Sequence, residues 1–180
     1  MDERVVAALA DVPDAVEWPT PEELAERVAG LLEESIRDLK VMANWPARLD
    51  DPMEWRGDTK PLNVAANALL GRLRAWCKAT GEALSFEDIT ELNDDAEGAH
   101  ERMPRLATVD VNEYLLELRG VVHEALGQAA VGRYRLGEKR YGSVVARLLL
   151  DENLLDELIV KVADMQKELR KRSEEEAEWA

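Results

Sequence analysis

Near the end of the chain Leu155, Leu158, Val162, Met165 and Leu169 recur at steps of three, four, three and four residues. A helix turns once every 3.6 residues, so these five side chains share one narrow stripe, and a second helix laid alongside is the surface that covers a stripe of that shape. The segment from about Asp151 to Glu178 is therefore predicted to be a single helix of about 28 residues, roughly 42 Å long. Its first half carries the apolar seam. From Lys167 to Glu178 the only apolar residues are Leu169 and Ala177, so the tip reads as a charged extension with Trp179 exposed unless something covers it.

The same period recurs upstream. Met1 to Ala10 has enough apolar residues for one or two helical turns, and Pro13, Trp18 and Pro19 end it. Thr20-Pro21-Glu22-Glu23 has the composition of a helix start: threonine and glutamate three apart can cap each other's amides, and proline at the first helical position gives up an N–H that has no partner anyway. Leu24, Val28, Leu31, Ile36 and Leu39 then mark one face to about Ala43. Pro61 opens a helix carrying Leu62, Ala66, Leu69, Leu73 and Trp76 and ending near Gly81. Ser85 and Asp88 have cap spacing before Ile89, Leu92, Ala96 and Met103. Asp110 and Glu113 bracket a start for Tyr114, Leu115, Leu118, Val122, Ala125 and Ala129, to about Val131. Ser143 has the chemistry to cap a stretch from Val144 to Leu150 that leads into the last helix.

Clean period-two alternation flanked by turns occurs only in Arg133 to Tyr141. The expected class is all-α: a bundle of five or six helices with a long C-terminal helix, and a short hairpin or basic loop at 133–141 as the one departure. Residues 1–150 are expected to form the bundle domain, with 151–180 as a long helix packed on the bundle or on a partner. Residues 44–60, with Trp45, Pro46, Pro52, Trp55 and Gly57, read as a loop whose tryptophans pack down on the core or meet a partner.

Charge narrows the function classes. Thirty-eight acidic residues stand against 23 basic ones, a net charge of −15, which favours solubility and repels polyanions. Against that background Arg133, Tyr134, Arg135, Lys139, Arg140 and Tyr141 form a basic, aromatic patch. Such a patch can dock on an acidic face of its own chain or of a neighbouring copy. It can also hold a phosphate backbone through the cations while the tyrosines stack on bases.

Catalytic signals are thin. Glu97 and His100 have the Glu-x-x-His spacing that helps hold two metal ions in helical bundles, but a second such pair is missing, since the other histidine, His123, has Gly120 three residues before it. Gly127, Gly132, Gly137 and Gly142 are spaced by five without the lysine and hydroxyl of a phosphate loop. Cys77, the single cysteine, excludes an intramolecular disulfide, fits a reducing compartment and follows Trp76 on an apolar face as a small hydrophobe. No apolar run approaches membrane-spanning length, and the first residues lack a basic stretch followed by an apolar core.

The expectation is a non-catalytic interaction or assembly subunit without a cofactor, cytoplasmic or within an intracellular or viral assembly. It would act through helix–helix contacts with copies of itself or with other protein subunits, for example as a viral structural or assembly component. Its mass in solution would exceed 20.2 kDa, and charges placed at Leu158 and Val162 would reduce it. Two alternatives make different demands. A small subunit of a nucleoprotein complex would use the basic patch at 133–141, and a metal-dependent helical enzyme would use Glu97 and His100 with neighbouring carboxylates.

Overall fold

The computed structural model describes residues 2–13, 19–44, 60–81 and 110–179. Among these every regular element is a helix: α1 (Glu3–Ala10), α2 (Pro21–Asn44), α3 (Lys60–Thr80), α4 (Val111–Leu136) and α5 (Glu138–Trp179). The all-α expectation holds, with a C-terminal helix of 42 residues. The interior of the expected loop at 44–60 and the expected helix around Ile89 to Met103, with Glu97 and His100, lie outside the described residues.

The helix starts follow local chemistry. At α2 the Glu23 amide donates to Thr20 Oγ1 at 3.2 Å while the Thr20 amide donates to Glu23 Oε2 at 3.3 Å, so two amides that the helix cannot satisfy are satisfied reciprocally. Asp2 caps α1 and Asp110 caps α4, each accepting an amide at 2.8 Å two residues on. Gly81, at φ 81°, closes α3.

The helices pack as two antiparallel pairs, α2 on α3 and α4 on α5, with α1 lying across α4. Lys40 near the end of α2 reaches Asn63 and Asn67 near the start of α3, at 3.3 and 3.2 Å. Burial of that ammonium lowers its pKa. One apolar core joins all five helices: Leu24, Leu32, Ile36 and Leu39 of α2, Leu69, Leu73 and Trp76 of α3, Leu115, Val122 and Leu126 of α4, and Leu148, Leu155 and Val162 of α5. Two glycines of α4 mark the closest approaches. A Cβ on Gly127 would stand 2.7 Å from the Ala8 carbonyl oxygen of α1, and one on Gly132 would stand 2.7 Å from the Tyr141 ring of α5.

Residues 133–141 are not a hairpin. Arg133 to Leu136 is the last turn of α4, Gly137 is the whole connection, and α5 begins at Glu138. Arg-Tyr-Arg-Leu alternates in polarity, but it continues a helix whose hydrogen bonds are already propagating, which outweighs two periods of strand pattern. Gly137 adopts φ 90°, ψ 165°, and its amide donates to the Arg133 carbonyl at 3.0 Å. Ser143 accordingly lies inside α5 and caps nothing.

Candidate functional site

The α4–Gly137–α5 hairpin decides where each expected site residue goes. Around Gly137, Arg133, Tyr134, Arg135, Lys139 and Arg140 are all exposed, Tyr134 by 86%. Arg133 pairs with Glu138 across the turn. Tyr141 departs from the group: its ring is buried over Gly132 and its hydroxyl donates to the Pro19 carbonyl at 3.2 Å. It ties the hairpin to the entry of α2 and cannot stack on a base. Five of the six expected contact residues thus share one exposed turn, and the sixth is core.

The seam residues divide as well. Leu155, Leu158 and Val162 are buried in the chain's own core, whereas Met165 and Leu169 are half-buried. Charges at Leu158 or Val162 would therefore unfold the bundle and could not report on an interface, because these side chains face α4 and its neighbours. The geometric reason lies in the hairpin. α4 has 26 residues and α5 has 42, and Asn112 at the start of α4 lies level with Gln166, so about 20 Å of α5 runs beyond the point where α4 begins. The pairing is visible in Gly132 with Tyr141, Arg119 with Asp156, His123 with Glu152, and finally Asn112 Nδ2 donating to Gln166 Oε1 at 3.3 Å. Beyond Val162 no described side chain of α5 is buried, and Trp179 is 91% exposed.

Two buried polar clusters, neither legible in the sequence, hold the bundle half of α5 at Asp151, Glu152 and Asp156. Asp151 is buried; its Oδ2 accepts from Trp76 Nε1 at 2.7 Å and its Oδ1 from the Arg72 guanidinium, while Arg72 Nη2 donates to the Arg147 carbonyl at 3.3 Å. Burial raises the Asp151 pKa, and Arg72 and Trp76 offset that only in part. The next residue, Glu152, faces the opposite side. Its buried Oε1 lies 3.1 Å from His123 Nδ1, 3.4 Å from Arg119 Nη2 and 3.6 Å from Arg4 Nη1. Arg4 and Arg119 also clasp Asp156, and His123 Nε2 lies 2.9 Å from Asp11 Oδ2. Burial alone would push Asp156 up, but the two guanidinium groups together hold it below the usual carboxylate range.

These groups are placed for structure. Both ring nitrogens of His123 are occupied by carboxylates, those of Glu152 and Asp11. No group of three or more histidine, cysteine or acidic side chains among the described residues could hold a metal ion. A groove of about 680 Å³ between α2, α3 and α5 sets Glu22, Glu26 and Glu33 opposite Lys139, Arg140 and Arg147, with Leu73 and Trp76 along it and Cys77 at its edge. Its two charged walls complement each other, and its aromatic member already spends its N–H on Asp151. No described helix is long and apolar enough to cross a membrane. Comparison with family models, curated proteins and solved structures gives no match to this chain.

Proposed function

We propose that the chain is a non-catalytic interaction subunit that engages protein partners through the end of α5. One observation carries this reading: α5 stays helical for 17 residues past its last buried side chain, Val162, with Met165 and Leu169 half-covered and Trp179 in solvent. Half-covered apolar side chains at Met165 and Leu169 and an exposed indole at Trp179, on a helix that has left its own core, are best explained by a partner helix that covers them. The deciding experiment compares the full chain with one ending at Gln166 as baits in an extract of the source cells. Proteins retained by the first and lost by the second support the reading. Identical retention by both would remove it.

The exposed turn at Arg133, Tyr134, Arg135, Lys139 and Arg140 supports a second reading, contact with nucleic acid. Five side chains offer few phosphate contacts, so binding on this reading is weak and falls steeply with salt. A gel shift that disappears with Arg133→Glu plus Arg140→Glu supports it; no shift at low salt refutes it.

A further inference from the structure

The seam does not stop at Leu169. Its steps of three and four continue through Arg172, Glu176 and Trp179, so the outer end of the stripe is ionic and then aromatic. Lys167 to Arg172 contains four basic residues and Glu168, whereas Glu174 to Glu178 contains four acidic residues and no basic one. Laid antiparallel, two such segments set each basic block against the other's acidic block. Arg172, Glu175, Glu176 and Trp179 also line an open notch on the helix surface. Positions i, i+3, i+4 and i+7 are the four that form a hole for a knob from a facing helix.

We infer that the ends of α5 from two copies of the chain pair antiparallel, Arg172 of each copy entering the notch between Glu175, Glu176 and Trp179 of the other. The inference rests on the interaction-subunit reading and names the partner as a second copy. The register that seats Arg172 opposite Glu176 also sets Leu169 opposite Trp179, because the two pairs share one centre near Glu174. Each notch then receives a guanidinium between two carboxylates and beside an indole face, with the receiving copy's own Arg172 one turn away at its far wall, and each apolar residue covers the other copy's tryptophan. In the single chain Arg172 is two-thirds exposed and pairs with Glu168, at 2.9 Å on its own helix. Self-pairing therefore replaces a solvated contact with one that excludes water. A parallel pair would set Arg172 on Arg172 and Glu176 on Glu176, which charge opposes. The paired segment is short, well below the area of a standard stable interface, so association is weak and weakens further with salt.

Sedimentation equilibrium of the full chain up to millimolar concentration tests this. At low salt the mean mass is expected to rise from 20.2 kDa towards twice that value. Arg172→Glu alone and Glu176→Arg alone are each expected to weaken association by about tenfold or more through like-charge contacts. An equal mixture of the two variants, and the double variant R172E/E176R, are expected to restore it. Circular dichroism confirms that the helices persist, since no described side chain in this segment is buried. A chain that stays monomeric throughout, or self-association unaffected by Arg172→Glu, overturns the inference. If partners are still captured only when residues 167–180 are present, the broader reading survives that failure; if they are not, both fall.

Discussion

Trp76 of α3 donates its indole N–H to Asp151 of α5 across 2.7 Å, with both side chains sealed from water. Arg72 approaches the same carboxylate from one helical turn earlier on α3. Trp76→Phe leaves a gap where the second indole ring stood and one oxygen of a buried carboxylate unpartnered, so it is expected to cost about 2–3 kcal/mol in urea unfolding. Arg72→Met removes the guanidinium hydrogen-bonded to that carboxylate and is expected to cost more, about 3 kcal/mol or above. Equal costs for the two would show that the charge contributes little there.

Asp151 and Asp156 should give stability curves of opposite slope in acid. Asp156 lies below the ordinary 3.8 in the folded chain, so it adds stability that is complete above that value and is lost as pH falls through its lower folded pKa. Asp151 lies above 3.8. The unfolded chain releases that proton first, so ionisation of Asp151 draws stability away as pH rises from 3.8 through its folded value. Subtracting the stability of Asp156→Asn from wild type should give a difference that rises with pH over this range; the same subtraction for Asp151→Asn should give one that falls. Two differences moving together would contradict the assignment of burial and pairing to these residues.

Gly132 and Gly137 should fail for different reasons when replaced by alanine. At Gly132 the new methyl meets the Tyr141 ring at 2.7 Å, and the ring cannot retreat without giving up Pro19, so a loss of about 1–3 kcal/mol is expected. At Gly137 nothing lies within 4 Å and the cost is backbone strain at φ 90°, ψ 165°, about 1–3 kcal/mol. Tyr141→Phe should ease Gly132→Ala only slightly, because it frees the ring from Pro19 but keeps the ring itself under the new methyl. Tyr141→Leu should rescue Gly132→Ala in part and leave Gly137→Ala unchanged, as read by thermal unfolding of the double variants.

Ending the chain at Gln166 should leave the stability of the bundle within about 0.5 kcal/mol, because the residues removed bury no described side chain. Val162→Ala, four residues before the cut, should cost about 2 kcal/mol as an apolar side chain lost from a closed core. A truncated chain that unfolds several degrees early would mean that the end of α5 packs on its own body.

The helices themselves were legible because their apolar residues obey one period. Leu62, Ala66, Leu69, Leu73 and Trp76 are all buried as their spacing requires. The α2 cap was legible from four residues. The start of α5 was not. Its core stripe runs unbroken from Tyr141 through Val144, Val145 and Leu148 to Leu155 and Val162, but Asp151 and Glu152 occupy it midway. Two adjacent acids read as a helix start on the surface, and only their distant partners Arg72, Trp76, Arg119 and His123 reveal them as interior. Arginines at 4, 72 and 119 carry no local sign that they converge on one turn.

The glycines spaced by five show that a regular spacing need not have one cause. Gly127 admits α1, Gly132 admits Tyr141 and Gly137 makes the turn, so a regular spacing has three unrelated causes. Of the expected patch at 133–141, exposure at five positions agrees with what charge alone suggested. Tyr141 could not be separated from Tyr134 without knowing that a glycine lies under its ring.

Between Ser143 and Trp179 the chain contains neither glycine nor proline. The turn at Asp151 and Glu152, where α5 is bolted to α1, α3 and α4, and the indole at the tip are thus joined by one unbroken rod of roughly 42 Å. Whatever grips the tip is held at a set distance and bearing from the body, and a pull on it arrives at those bolts undamped.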